Sequence, residues 1–160
     1  RLTQVESAQQ MYEAASAVFP SVQAAILAAA VADYRPAQVA NSKIKKKGDS
    51  MQVDLVKTTD IAASLGKIKK KNQLLVGFAL ETNNEIENAK GKLKRKNFDF
   101  IVLNSLQDKG AGFNHDTNKI TLIHPDNKIR HFKLKPKDAV AVDIINELIV
   151  RLDTINHQPA

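Results

Sequence analysis

Three short apolar runs, Gln23 to Val31, Leu74 to Leu80 and Phe98 to Leu103, are separated by stretches whose apolar residues recur at helical spacing. A strand that is apolar at successive positions must be covered on both faces, which is the environment of a parallel sheet. Strands separated by helices pair in parallel through right-handed crossovers. This alternation restricts the fold more than any other property of the chain.

The intervening segments carry their own boundary signals. Val5 to Phe19 has Ser7 near its start and places Val5, Met11, Tyr12, Ala15 and Val18 at helical spacing before Pro20, so it predicts a helix. Thr59-Asp60 resembles an N-cap opening a helix over Ile61 to Ile68, and Asn83 to Lys96 predicts another. Met51 to Val56 alternates in the manner of a strand. Lys119 to Ile123 and Ile129 to Leu134 flank the turn-forming Pro125-Asp126-Asn127-Lys128, which predicts a hairpin extending one sheet edge. Pro136-Lys137-Asp138 opens a last helix in which Ala139, Val142, Ile145, Ile149 and Leu152 are expected to face the core. The expected architecture is an α/β, Rossmann-like three-layer fold, its sheet mostly parallel with an antiparallel hairpin near the C-terminus. Residues 1–153 form one domain on this reading, and 154–160 a tail.

Several classes of function are excluded or disfavoured. The chain has no cysteine, so disulfides, thiolate-bound metals and thiol nucleophiles are absent. His115, His124, His131 and His157 show no metal-ligand spacing, and no metal site is expected. No apolar run approaches the roughly 18 residues of a membrane span, and the expected location is cytoplasmic. Twenty-four basic against 17 acidic residues give +7, which favours an anionic partner without choosing between RNA and a triphosphate. Glycine-rich dinucleotide and P-loop signatures are both missing.

In a parallel sheet, ligands sit beyond the carboxyl ends of the strands. That rule collects Asp33, the Thr58-Thr59-Asp60-Ile61 turn, Phe78 to Thr82 and Asn104 on one rim. The string Ala28-Ala29-Ala30-Val31-Ala32 has almost no side-chain bulk, so a ligand can approach its backbone. The start of the helix at Asp60-Ile61 offers unpaired amides to a phosphate or a carbonyl. Lys92 and Lys96, four apart, share a helix face; they fit either an anion held between them or an ordinary solvated lysine-rich face. Lys43 to Lys47 fits a solvated loop as well as a lid closing over an anion. Asp33 could bind ligand, cap a turn or pair with Arg35, and Phe78 fits a core position. The string Phe113 to Asn118 carries groups able to bind a ligand, but also the composition of a plain turn.

Taken in order, Ala29 to Pro36, Lys43-Ile44-Lys45-Lys46, Lys57 to Ile61, Val76 to Thr82, Lys92 with Lys96, Asp99 to Asn104 and Phe113 to Asn118 resemble phosphopantothenoylcysteine synthetase. The resemblance covers most of residues 5 to 152. It implies a two-step ligation, in which the carboxylate of 4'-phosphopantothenate attacks the α-phosphate of CTP and the amine of cysteine then displaces CMP. It further implies that Asp33, Thr59, Asp60, Ile61, Ala62 and Phe78 contact the nucleotide, and that Leu27, Ala28 and Ala29 pack on it. Lys43, Lys92 and Lys96 would face its phosphates, with Lys43, from the closing loop, serving the second half-reaction.

Mg2+ would be carried mainly by the phosphates. A homodimer is implied, as is a flavin-dependent decarboxylase, fused or separate, although nothing in this chain resembles the flavin half. The family opens with a glycine-rich segment carrying an asparagine used in activation, and this chain starts beyond it. Thr58-Thr59-Asp60 stands where the family commonly has Asn-Pro-Asp. Nucleotide binding is therefore expected to survive better than acyl activation. The competing readings are a non-catalytic basic module binding RNA or another polyanion, and a structural half serving assembly; 5% aromatic content leaves few base-stacking platforms for the former.

Overall fold

The computed structural model describes residues 1–40, 42–45, 48–105 and 115–157. In chain order it contains α1 (Ala8–Val18), β1 (Ala24–Leu27), β2 (Tyr34–Pro36), β3 (Leu55–Lys57), α2 (Ile61–Ile68), β4 (Leu74–Glu81), α3 (Glu85–Arg95), β5 (Phe100–Ser105), β6 (Thr117–Asn118), β7 (Ile120–Ile123), β8 (Ile129–His131), β9 (Lys135–Pro136) and α4 (Lys137–Asn156). A 3-10 turn, Phe19–Ser21, follows α1.

The main sheet has the order β1-β4-β5-β7-β8. β1 pairs with β4 and β4 with β5 in parallel, while β7 runs antiparallel to β5 and β8 antiparallel to β7. The parallel core and the antiparallel hairpin are thus both present, the hairpin beside β5. Buried residues form two clusters, one on each face. Ile61 and Leu65 of α2 with Ala89 and Leu93 of α3 cover one side, and Met11 and Tyr12 of α1 pack against that cluster. Val140, Ile144 and Leu148 of α4 cover the other. This is the three-layer arrangement expected.

Local signals account for most boundaries. Ser7 caps α1 in a capping box: the Gln10 amide donates to Ser7 Oγ at 3.2 Å and the Ser7 amide to Gln10 Oε1 at 3.1 Å. Gln73 is buried where β4 begins, and its Nε2 donates to the carbonyls of Phe19 and Val22, both at 2.7 Å. It thereby ties the turn before β1 to β4. Asp99 does the same at the next strand, accepting from the Leu75 amide and pairing with Lys69 Nζ at 2.8 Å.

Four expectations need correction. β1 is only four residues long and half-buried rather than covered on both faces, because β4 is its one neighbour among the described residues. The strand expected over Met51 to Val56 is confined to Leu55–Lys57, exposed, and paired with β2 in a separate ribbon. On α4, Val142, Ile145 and Ile149 are exposed, and Val140, Ile144 and Leu148 take the core positions. The helix also runs through Asn156, three residues into the segment expected as a tail.

Candidate functional site

At the carboxyl ends of β1 and β4 lies a cavity of about 510 Å³. Leu27 ends β1 and begins one wall, which continues through Ala28, Ala29, Val31 and Ala32 to Asp33. The residues leading into α2, Thr58 to Ala62, also line it, with Lys92 and Lys96 from the end of α3. Phe78 of β4 contributes, and Met11, Ala15 and Phe98 supply further apolar lining.

Main-chain ties place these groups. The Thr58 amide donates to the Asp33 carbonyl at 2.9 Å and its hydroxyl to the Ala32 carbonyl, so the first residues past the β2–β3 ribbon are held side by side. Asp60 caps α2 by accepting from the Ala63 amide at 3.0 Å, and Ile61 and Ala62 of its first turn belong to the cavity lining.

Gly66 allows the close approach of α2 and α3: a Cβ there would lie 2.1 Å from the Lys96 carbonyl oxygen. Asn97, at φ 54°, reverses the chain just after Lys96 and donates from Nδ2 to the Gly66 carbonyl at 2.8 Å. Gly77 plays the corresponding part in β4, where the Phe98 ring lies over its Cα.

The charges are matched. Lys92 Nζ lies 2.6 Å from Glu81 Oε1, and Lys96 Nζ 3.0 Å from Asp60 Oδ2. Burial pushes the Asp60 carboxyl upward, but the Ala63 amide and Lys96 outweigh it and hold it below the usual carboxylate value. Asp33 has no side-chain hydrogen bond or ion pair among the described residues, and Arg35 turns instead to the Pro36 carbonyl.

Leu27, Ala28, Ala29, Asp33, Thr59, Asp60, Ile61, Ala62, Phe78, Lys92 and Lys96 are therefore brought together. Lys43 is not: it lies in the exposed segment after β2 and lines a separate cleft with Ile44, Lys45 and residues 48–51. Asn104 lies at the carboxyl rim, at the end of β5 beside Leu80, but does not line the cavity; its Oδ1 accepts from Asn118 Nδ2. Residues 113 and 114 of the polar string lie outside the described residues.

Sequence reasoning missed Met11, Ala15 and Phe98. The signal for Phe98 was Gly77, a glycine inside an otherwise bulky strand. It also missed that each cavity lysine has a carboxylate partner.

A larger, shallow cleft of about 950 Å³ lies near the start of β4, between the β7–β8 hairpin and α4. Its buried His124 contacts Arg151, and Arg151 Nε donates to Glu147 at 3.1 Å. Burial lowers the His124 pKa, Arg151 lowers it further, and Glu147 opposes both. These groups satisfy one another and serve the fold. No group of three metal-ligating side chains occurs among the described residues, and no helix is long and apolar enough to cross a membrane.

Fold and cavity together define an α/β domain with a cavity at the carboxyl rim of its sheet. Residues 1–152 match the model of the DNA/pantothenate metabolism flavoprotein C-terminal domain, and the chain belongs to that family. It is 57% identical over 145 residues to a "Cysteine/Cysteine sulfinic acid decarboxylase" of an unknown prokaryotic organism, covering 91% of this chain and 40% of that protein. It is 42% identical over 146 residues to the "Coenzyme A biosynthesis bifunctional protein CoaBC" of Vibrio parahaemolyticus, covering 90% of this chain and 36% of that one. The chain thus spans about two fifths of these relatives. The crystal structure of the C-terminal domain of a CoaBC protein superposes with a TM-score of 0.76 at 38% identity, covering 95% of this chain and 68% of that domain.

Proposed function

We propose that the cavity is the nucleotide site of a phosphopantothenate-cysteine ligase that uses CTP. The observation that carries this reading is the composition of this cavity at the strand ends, where small side chains, a helix start and two lysines converge. Such a site suits a planar base against main chain and a polyphosphate against ammonium and amide groups. The relatives named for coenzyme A biosynthesis support the acid and amine substrates, 4'-phosphopantothenate and cysteine.

On this reading Ala28 and Ala29 admit the base, Phe78 contacts it, and the Asp33 carboxylate accepts hydrogen bonds from ribose hydroxyls. Lys92, Lys96 and the amides of Ile61 and Ala62 hold the phosphates. A carboxylate oxygen of the acid attacks the α-phosphorus as the bond to pyrophosphate breaks. The cysteine amine then attacks the acyl carbon, the bond to CMP breaks, and the amine proton is lost. Both lysines stabilise charge that accumulates on phosphate oxygens during the first step.

Magnesium would neutralise part of the phosphate charge. Asp60 and Glu81 are committed to lysines, so the chain suits a metal arriving on the nucleotide rather than one caged by protein. Lys43 acts only if its loop closes. A homodimer, a flavin-dependent decarboxylase as a fused or separate partner, and a cytoplasmic setting complete the proposal.

Calorimetric titration with CTP, ATP, GTP and UTP in the presence of magnesium tests the reading. A preference for CTP is expected, with affinity for it lowered by Asp33→Ala and by Lys92→Ala. Equal weak binding of all four with a steep salt dependence would instead indicate a polyanion binder.

A further inference from the structure

Glu81 ends β4 behind Lys92. Its side chain is 13% exposed, its Oε1 lies 2.6 Å from Lys92 Nζ, and its Oε2 accepts from Asn88 Nδ2 at 3.3 Å. With Asp60 beside Lys96, both cationic side chains on this wall carry a carboxylate, so the wall is close to neutral in a chain of net charge +7.

The two carboxylates differ. Asp60 has a second task, the cap of α2, whereas among the described residues the Glu81 side chain otherwise accepts only from the Asn88 amide, which a neutral glutamine could also engage. A shielded lysine-glutamate pair adds little net stability, because desolvation offsets the attraction. The fold by itself therefore does not explain a charge at position 81. Its electrostatic effect on a ligand does: a carboxylate behind the phosphate-facing lysine repels in proportion to the ligand's negative charge. Free nucleoside triphosphate is penalised most, and the metal-complexed form, part of whose charge is cancelled, is penalised least.

We propose that Glu81 makes the cavity selective for the metal-complexed over the free form of a nucleoside triphosphate. This inference rests on the nucleotide reading above, and makes Glu81 a specificity-determining residue that touches the ligand only through Lys92.

The test is calorimetry on the full chain with CTP at neutral pH and fixed ionic strength, in excess magnesium and in EDTA, for wild type, Glu81→Gln and Lys92→Met. The readout is the ratio of the dissociation constant without metal to that with metal. Glu81→Gln is expected to lower the ratio about three- to fivefold, chiefly by tightening free CTP. Lys92→Met leaves the carboxylate uncompensated and is expected to raise it by a similar factor, although affinity falls in both conditions. Opposite shifts of a self-referenced ratio cannot come from partial unfolding. A ratio for Glu81→Gln within about twofold of wild type, or both variants shifting in one direction, overturns the proposal while leaving the nucleotide reading intact. Absence of CTP binding by wild type in either condition refutes the nucleotide reading and this proposal with it.

Discussion

Replacing Gly77 by alanine probes the packing beneath the cavity. A Cβ at this position would lie 2.3 Å from both Cε2 and Cζ of Phe98. Carbon atoms pack at about 3.5–4.0 Å, so the ring must retreat by more than about 1 Å. Gly77 is held in β4 between Leu27 of β1 and Ile101 of β5, so the strand cannot yield instead. Phe98 is buried but lines the cavity, which is where the displaced ring has room.

Overpacking of this kind costs about 1–3 kcal/mol, against about 0.4–1 kcal/mol gained by stiffening the unfolded chain, for a net loss of about 1–2 kcal/mol. The melting temperature should fall by about 2–8 °C for a domain of this size. Phe98→Leu alone should cost about 1–2 kcal/mol by leaving a void. The double variant fits a smaller side chain under the new methyl group, so urea unfolding should show a favourable coupling of at least about 1 kcal/mol. Losses that simply add would refute the claim that the ring is what Gly77 accommodates.

Other consequences are more local. Gln73→Leu strands the Val22 carbonyl and leaves that of Phe19 with only the Val22 amide at 3.3 Å, and should cost about 1–3 kcal/mol, read from the urea midpoint. Asp60→Ala removes the α2 cap and should destabilise by about 1 kcal/mol at neutral pH. Because the folded Asp60 pKa lies below its unfolded value, that difference is present above the unfolded value and should vanish as pH falls through the folded one; guanidinium unfolding at both extremes checks it. His124 is depressed in the folded state, so the unfolded chain binds the extra proton first. Wild-type stability should decline as pH drops below the ordinary histidine value, and His124→Gln should flatten that decline.

Where neighbours on both sides impose one environment, the sequence reveals it. β4 and β5 are apolar at successive positions because helices cover both faces, and each was legible within a residue or two. The cap at Asp60 and the Pro125–Lys128 turn were legible because they rest on local chemistry. α4 was legible as a helix, but its buried face was not, since it carries two apolar stripes at equivalent spacing and only the sheet beneath selects Val140, Ile144 and Leu148. The partnership of Glu81 with Lys92 was hidden too: the residues belong to different elements, and the reversal between β4 and α3, not sequence spacing, brings them together. Lys43 matched by motif, but the structure places it in a cleft apart from the cavity, lined by residues 43–45 and 48–51.

The antiparallel course of β7 separates the two ends of the sheet electrically. Its last residue and the turn carrying His124 fall beside the starts of β4 and β5, whereas Asp60, Glu81, Lys92 and Lys96 cluster where the parallel strands finish. β4, whose eight residues join the two ends, extends roughly 26 Å, beyond two screening lengths of about 8 Å in physiological salt. Protonating the imidazole in mildly acidic solution should thus weaken the protein without altering how tightly it grips its ligand.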